Sequence, residues 1–232
     1  MDKNLIFYSL NSKNTKLWIT GGFVIPSPPP PSSSTSTSSN ESSFQGLFCS
    51  IISKLYYKCE IARLYLYDIS LTLNEFIFLS SSAENVILNN VSIKYCNGEE
   101  VELEKLVQFC SKAVKFEYAF LSNATNFSSK TIKNLIKIPH FFMLKKFRLI
   151  NIPDIFDIKP LLSFLKKTNL YVCLDFCENL SEDYRNQLND IIVEILDETD
   201  NAYLFGPPSL KIPGINFETQ LALFRKARYS EI

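Results

Sequence analysis

The sequence predicts an α/β fold, a leucine-rich-repeat-like solenoid of about five strand–helix units with a parallel sheet. Three observations predict it. Short segments with strand alternation recur, and an amphipathic helical pattern follows each of them. The segments start at positions 64, 86, 116, 147 and 172, which are 22, 30, 31 and 25 residues apart. This spacing straddles or slightly exceeds the roughly 20–29 residues of leucine-rich repeats. One such unit cannot bury both its strand face and its helix stripe, so stacking is expected.

The five strand segments place apolar residues at alternate positions, as expected for strands with one buried face. They are LYL (64–66), VIL (86–88), FEY (116–118), FRL (147–149) and VCL (172–174). Five positions after the first residue of each of four strands an apolar residue recurs: Ile69, Val91, Leu121 and Ile152. A typical leucine-rich repeat has Asn or Cys at this offset, and only Cys177 in the last unit fits. The sequence therefore predicts degenerate repeats without a ladder of stacked asparagines.

A helix is predicted between successive strands. Thr72 and Glu75 have the spacing of a capping box at the start of the first helix. Asp157 and Ser181 are predicted to cap two later helices. A final helix is predicted over residues 217–229. Apolar residues at helical spacing give each helix one face for the core.

The composition changes sharply near the start of the chain. We predict a short N-terminal segment over residues 1–25, a disordered Pro/Ser/Thr linker over 26–43 and an α/β repeat domain over 44–232. The linker has no apolar surface that could offset the entropy of ordering it. The pair Gly21 and Gly22 falls before the predicted globular part.

Charge and hydropathy argue against several classes of partner. Lys plus Arg and Asp plus Glu are equal at 24 each, whereas a non-specific nucleic-acid binder needs an excess of cations. No apolar run approaches the roughly 18 residues of a membrane span, and the first residues lack a signal-peptide core. We therefore expect no nucleic-acid or membrane partner, and a location in the cytoplasm or the nucleus. The six cysteines contain no C-x-x-C pair, which favours free buried thiols over a metal site.

The strand alternation also predicts a binding surface. Neighbouring side chains on a strand face opposite ways, so the residues between the buried positions form an outward surface, Ala119 and Cys173 among them. Partner-binding residues are predicted on it at Tyr65, Tyr67, Ile87, Asn89, Glu117, Arg148, Ile150 and Asp175. The mixture of aromatic, apolar and charged side chains is typical of a protein-binding surface. The alternative is an ordinary α/β layer with this face covered by other helices.

The sequence shows no catalytic, cofactor-binding or metal-binding motif. We therefore expect no cofactor and a non-enzymatic protein. A rival hypothesis is a hydrolase-like enzyme that uses the single histidine, His140, with a nearby cysteine or carboxylate. A third is a degenerate repeat protein without a retained specific function.

Several short blocks between residues 72 and 205 resemble the nematode families of F-box-associated, leucine-rich-repeat-like proteins. The matching blocks are TLNEF (72–76), VSIKY (91–95), VELEKL (101–106), IPHF (138–141), LKKF (144–147), IPD (152–154) with FDI (156–158), and LDF (174–176) followed by LSE (180–182). The resemblance implies a substrate-recognition component of a ubiquitin ligase, whose repeat region recruits a target protein.

In fuller members of that family an F-box of about forty residues docks on a Skp-type adaptor. The resemblance implies that adaptor as a partner if this chain carries an F-box-like part. Residues 1–43 show no L-P-x-E-type start and no three-helix pattern, so the chain departs from the family at this point.

Overall fold

The computed structural model describes residues 18–25, 58–121, 126–199 and 202–227, with side chains from Glu60 onward. The contacts divide the chain into two compact units. The first comprises Met1–Val101 with Phe109–Ala113, and the second comprises Glu102–Gln108 with Val114–Ile232. The predicted linker at residues 26–43 lies outside the described residues.

The first unit is built on parallel strands that belong to two small sheets. Its elements in chain order are β1 (Trp18–Ile25), β2 (Lys58–Tyr67), β3 (Ser70–Thr72), α1 (Leu73–Ser80), β4 (Asn85–Asn89) and β5 (Ser92–Lys94). Strand β2 pairs in parallel with both β1 and β4, and β3 pairs in parallel with β5. Strand β1 was not expected, because residues 1–25 fall before the predicted repeat domain. Its register with β2 shifts between Gly21 and Gly22, where glycine tolerates a bulge.

The second unit is a four-stranded parallel sheet with connecting helices. Its elements are α2 (Leu103–Phe109), β6 (Lys115–Ala119), α3 (Thr131–Leu135), a 3-10 helix (Pro139–Met143), β7 (Lys146–Ile152), α4 (Lys159–Leu165), β8 (Tyr171–Phe176), α5 (Glu182–Asp197), β9 (Ser209–Lys211) and α6 (Phe217–Lys226). The last residue of α2 groups with the first unit. The strands lie in the order β6, β7, β8, β9, which is also their order along the chain.

These elements confirm the α/β class and the parallel pairing. All five predicted strand segments lie inside β2, β4, β6, β7 and β8. The capping box is also confirmed, because the Thr72 hydroxyl accepts a hydrogen bond from the Glu75 amide and the Glu75 carboxylate accepts one from the Thr72 amide. Strands β3, β5 and β9 were not predicted. With three residues each, they are too short to show alternation.

Two of the predicted helix caps are not formed as expected. Asp157 is not the N-cap of α4; Ile158 occupies that position, and Asp157 lies 3.6 Å from the Lys133 ammonium instead. Pro160 in the first turn of α4 lacks an amide hydrogen, so fewer amides there need a cap. Ser181 is the N-cap residue of α5, but its side chain makes no capping hydrogen bond. Helix α6 ends at Lys226, and residues 228–229 of the predicted helix lie outside the described residues.

In the first unit, the chain turns after strands β2 and β4, and each turn contains a residue with positive φ. Asp68 follows β2 with φ of 51° and Asn90 follows β4 with φ of 56°. The Asn90 amide group donates to the Asp68 carboxylate over 2.5 Å, and the Asp68 amide donates to the Asn89 carbonyl over 3.0 Å. Asp and Asn tolerate this left-handed conformation better than other non-glycine residues. The side chains that stabilise these turns lie one position before Ile69 and Val91, and the offset that carries asparagine in leucine-rich repeats holds these two apolar residues instead.

The same conformation recurs in the second unit at Asn151, with φ of 60°. Asn151 is the extra residue of a bulge, because Ile150 is aligned with Asp175 and Ile152 with Phe176. Its side-chain amide donates to the Phe120 carbonyl over 2.9 Å. Asp68, Asn90 and Asn151 therefore occupy the same offset from the first residue of their predicted strand segments, and each has the same left-handed backbone conformation.

Phenylalanines connect the strands of the second unit to the segments that follow them. The Phe147 ring lies on β7 and contacts Phe116 of β6, with ring centroids 6.0 Å apart, and Phe141 of the 3-10 helix, at 5.0 Å. The Phe156 ring contacts Phe176 of β8 at 6.1 Å and Phe127 at 5.5 Å. All of these rings are buried, so many of the 19 phenylalanines form the core on one side of the sheet.

Among the described helices, none is long and apolar enough to cross a membrane.

Candidate functional site

The second unit has one strand face that is only partly covered. Phe116, Phe147 and Val172 are aligned on neighbouring strands and are fully buried, whereas most of the residues between the buried positions keep part of their surface exposed. The predicted residues Glu117, Arg148, Ile150 and Asp175 are all half-buried on this outward face. The alternation predicted from the sequence therefore places them together, within the described part of the chain.

Arg148 is the centre of an ion-pair network on this face. Its Nη2 atom lies 2.7 Å from Asp175 Oδ2, and its Nη1 atom lies 3.7 Å from Glu117 Oε2. The three side chains are 35%, 18% and 23% exposed, in the order Arg148, Asp175, Glu117. Burial lowers the pKa of Arg148, but the hydrogen bond and charge of Asp175, together with the charge of Glu117, outweigh burial and raise it. Three neighbouring strands are thus joined by one guanidinium group.

Two small residues of the outward face are buried, contrary to expectation. Cys173 lies directly opposite Arg148 in the register, and Ala119 lies opposite Ile150. Cys173 is 9% exposed and Ala119 is 7% exposed. Longer neighbours cover a short side chain on an inner strand, so strand alternation alone does not determine exposure. Burial also raises the pKa of the Cys173 thiol, so the thiol stays protonated and poorly nucleophilic.

A row that the sequence reasoning missed lies at the amino ends of the same strands. Lys115, Lys146 and Tyr171 are aligned in the register of β6, β7 and β8. The Lys146 ammonium lies 5.8 Å from the centroid of the Tyr171 ring, and that centroid lies 6.0 Å from the Phe205 ring centroid. We call these four residues the lysine–aromatic row. Each aligned member precedes the Glu117–Arg148–Cys173 row by two positions, so extending the period-two pattern backwards would have found it.

The predicted residues of the first unit form a separate pair of rows. Tyr65 of β2 is aligned with Ile87 of β4, and Tyr67 is aligned with Asn89. Tyr65, Tyr67 and Ile87 are half-buried and Asn89 is exposed, so none of the four is sealed among the described residues. The two tyrosines and the isoleucine make this surface more apolar than the outward face of the second unit.

A shallow cleft of about 140 Å³ lies in the second unit, beside α4 and α5. Its lining includes Asp154, Asp157, Lys159 and Tyr184. The Tyr184 hydroxyl donates to the Phe156 carbonyl over 2.6 Å, and burial raises the pKa of Tyr184. This hydroxyl is therefore a structural donor. Within the described residues, no group of three or more His, Cys, Asp or Glu side chains could hold a metal ion.

The only histidine does not line this cleft. His140 is half-buried on the 3-10 helix, between Pro139 and the buried Phe141.

The thiols with described side chains are all reduced: Cys110 and Cys173 are buried, Cys177 is partly buried and Cys96 is exposed. The exposed Cys96 departs from the expectation of buried thiols, because it lies in the tight turn after β5.

The outward face of the second unit is therefore the best-defined candidate site, since it combines an ion-pair network with a row of cations and aromatic rings. This candidate site is defined only by the strand register and the side-chain contacts of its residues. Comparison of the chain with protein-family models, with curated proteins and with solved structures finds no match.

Proposed function

We propose that this chain is a non-enzymatic protein-binding module that uses the outward faces of its parallel strands to recognise a partner. The observation that carries the proposal is the network in which Arg148 joins Glu117 and Asp175 on a face that stays partly exposed. Ion pairs on a partly exposed face contribute only about 0–1 kcal/mol to stability, so stability alone does not account for this network. Arginine and aromatic side chains are enriched in protein interfaces, and both are present on this face.

We further propose that the chain consists of degenerate leucine-rich-repeat-like units. Two observations support this. The strands of the second unit occur in the sheet in their chain order, as in a solenoid, whereas a doubly wound sheet reverses its order at a switch point. Asp68, Asn90 and Asn151 share one offset from the start of their predicted strand segments and one backbone conformation, as expected for a repeated unit.

The resemblance to F-box-associated proteins extends this proposal to a cellular role. On that resemblance the chain is a substrate-recognition component of a ubiquitin ligase, acting in the cytoplasm or the nucleus. The strand faces would then recruit the target, and the Skp-type adaptor would be contacted through a different part of the chain. Co-purification of the full chain with the Skp-type adaptor tests this extension separately from target binding.

Affinity capture with matched variants tests the binding function itself. The charge reversal Arg148→Glu is compared with Arg225→Glu, which makes the same charge change at an exposed position on α6. Partners are quantified by mass spectrometry from cross-linked cells, and circular dichroism checks that both variants are folded. The proposal expects at least one protein that is retained by wild type and by Arg225→Glu and is lost with Arg148→Glu. Identical partner sets for the two variants would contradict it.

A further inference from the structure

The tight turn after β5 contains the only Asn-Gly pair of the chain, Asn97 and Gly98. The Tyr95 amide donates to the Glu99 carbonyl over 2.9 Å, and the Gly98 amide donates to the Tyr95 carbonyl over 3.0 Å, so two hydrogen bonds close the turn. Asn97, Gly98 and Glu99 are all exposed. Water and hydroxide therefore reach both the side-chain amide of Asn97 and the backbone amide that follows it.

Gly98 leaves the Asn97 side chain open to attack by the next backbone nitrogen. Its φ is 89°, and a Cβ at this position would meet no heavy atom within 4 Å beyond its chain neighbours. Any other residue here would place a side chain beside the attacking nitrogen. Two other exposed asparagines, Asn90 and Asn179, are followed by a valine and a leucine, whose side chains hinder the same attack.

Hydrogen bonds to Glu99 hold the Asn97 side chain on the side of this nitrogen. Asn97 Oδ1 accepts a hydrogen bond from the Glu99 amide over 3.1 Å, and Asn97 Nδ2 donates to Glu99 Oε2 over 2.7 Å. The ring closed by the first bond includes the Gly98 nitrogen, so the side-chain carbonyl folds back along the Gly98 backbone. The Glu99 amide also stabilises the negative charge that an attack on the carbonyl carbon places on Oδ1.

We infer that Asn97 is a site of spontaneous deamidation, in which the Gly98 nitrogen attacks the Asn97 side-chain carbonyl. The turn first opens, because the Gly98 amide donates to the Tyr95 carbonyl. Hydroxide removes the Gly98 amide proton, the nitrogen forms a bond to Asn97 Cγ, and the Cγ–Nδ2 bond breaks to release ammonia, which takes up a proton from water. Water then opens the resulting five-membered succinimide at either carbonyl and leaves aspartate or isoaspartate. One water is consumed and one ammonia is released, with no change in oxidation state.

The products fit the turn less well than asparagine does. A carboxylate at position 97 cannot donate to Glu99, and it replaces the hydrogen bond between the two side chains by a like-charge contact. Isoaspartate adds one atom to the backbone of the turn. The turn also brings Glu100 opposite Lys94 in an antiparallel bridge, so deamidation should loosen this bridge as well. The reaction concerns the first unit and does not depend on the proposed protein-binding function.

Incubation of the full chain in water enriched in oxygen-18 tests the reaction. Peptide mass spectrometry follows label uptake at Asn97, with Asn90 and Asn179 as internal references in the same sample, and electron-transfer fragmentation separates aspartate from isoaspartate. Digestion in ordinary water ensures that only label taken up by the intact chain is counted. We expect Asn97 to react at least about tenfold faster than either reference, to accelerate from pH 6 to pH 8 and to give both products. Equal rates at the three asparagines, or aspartate as the sole product, would overturn the inference.

Matched variants test the effect on the turn by hydrogen exchange. Asn97→Asp places a product of the reaction in the turn, and Asn179→Asp makes the same charge change at an exposed position before α5. We expect the amides of Tyr95 and Gly98 to exchange about fivefold faster or more in Asn97→Asp and to be unchanged in Asn179→Asp. Adding Glu99→Gln to Asn97→Asp should slow the exchange again, because the new side-chain amide donates to the new carboxylate. Exchange that is the same in Asn97→Asp and in the wild type would show that deamidation does not loosen the turn.

Discussion

Arg148 Nη2 lies 2.7 Å from Asp175 Oδ2, although the residue aligned with Arg148 on the neighbouring strand is Cys173. The ion pair is therefore diagonal. It crosses from β7 to a residue that lies two positions beyond Cys173 on β8. This geometry lets one guanidinium group reach the carboxylates of two different strands, Glu117 on β6 and Asp175 on β8.

Replacing Arg148 by methionine should change stability only slightly. The arginine side chain is 35% exposed, and ion pairs at such positions contribute about 0–1 kcal/mol. We expect Arg148→Met to lower the free energy of unfolding by less than about 1 kcal/mol, because methionine keeps a long apolar side chain at this position and loses only the charge. Urea denaturation at low and high salt measures this, and the difference should shrink at high salt. A loss of several kcal/mol would mean that the network is a folding element rather than a surface feature.

The sequence was sufficient to place Arg148 and Asp175 on one face, because side chains alternate with a period of two and both residues have the correct parity. It did not predict their contact. The contact depends on the register between β7 and β8, and that register shifts at Asn151. Nor did it predict the burial of Cys173, which depends on how far a neighbouring side chain reaches.

Replacing Asn151 should destabilise the protein for two reasons. Its backbone has a positive φ, and its side chain makes a hydrogen bond. Its φ is 60°, a region that costs an alanine about 1–2 kcal/mol, and its side chain donates to the Phe120 carbonyl. We expect Asn151→Ala to lower the free energy of unfolding by about 2 kcal/mol and Asn151→Gly by about 1 kcal/mol, since glycine loses only the hydrogen bond. Chemical denaturation of both variants measures the difference. An alanine variant as stable as the glycine variant would show that φ contributes nothing here.

The positive φ of Asp68, Asn90 and Asn151 was missed because the repeats were aligned on the apolar residue that follows each of them. That alignment tested only the offset at which leucine-rich repeats normally carry asparagine. The polar residue one position earlier was visible in the sequence, but its significance lies in a positive φ, which composition alone does not reveal. Strand β1 was missed for a different reason: its pairing with β2 crosses a long segment, and local patterns carry no information on such pairing.

Cys110 should remain unreactive until the protein unfolds. It is buried, and burial raises its pKa from 9.0 to about 12, so the thiolate is scarce in the folded state. Cys96 is exposed in a turn and serves as the internal reference. We expect iodoacetamide at pH 8 to modify Cys96 rapidly and Cys110 only on unfolding, as read by peptide mass spectrometry. Modification of the two at similar rates would contradict the burial of Cys110.

The same thiol should make stability depend on alkaline pH. Below pH 9 the thiol is protonated in both the folded and the unfolded state. Between pH 9 and about 12 the unfolded thiol loses its proton while the folded one keeps it, so the free energy of unfolding falls. Between pH 7 and pH 10 the wild type should lose about 1.4 kcal/mol more than Cys110→Ala. Urea denaturation at both pH values measures this, and Cys96→Ala should behave like the wild type.

Arg185 should contribute more to stability than Arg148, because it satisfies backbone groups of two loops. Its guanidinium donates to the carbonyls of Glu178 over 2.9 Å, Leu180 over 3.2 Å and Pro213 over 2.6 Å, so it fixes the segment before α5 against the turn before α6. Lysine has a single ammonium and cannot reproduce this fork of donors. We expect Arg185→Lys to lower the free energy of unfolding by about 2 kcal/mol, since hydrogen bonds from a charged donor contribute about 1.5–3 kcal/mol.

Hydrogen exchange of the Arg185→Lys variant distinguishes this local role from a general loss of stability. The amides of the turn around Gly214 and of β9 should exchange faster than in the wild type, whereas those of β6 and β7 should change little under native conditions. Gly214→Ala provides an independent check on the same contact. Gly214 has φ of 85°, and a Cβ there would lie 3.1 Å from Arg185 Nη1, so alanine strains the backbone and crowds the guanidinium. Uniform exchange rates in both variants would show that the two loops are held together by other contacts.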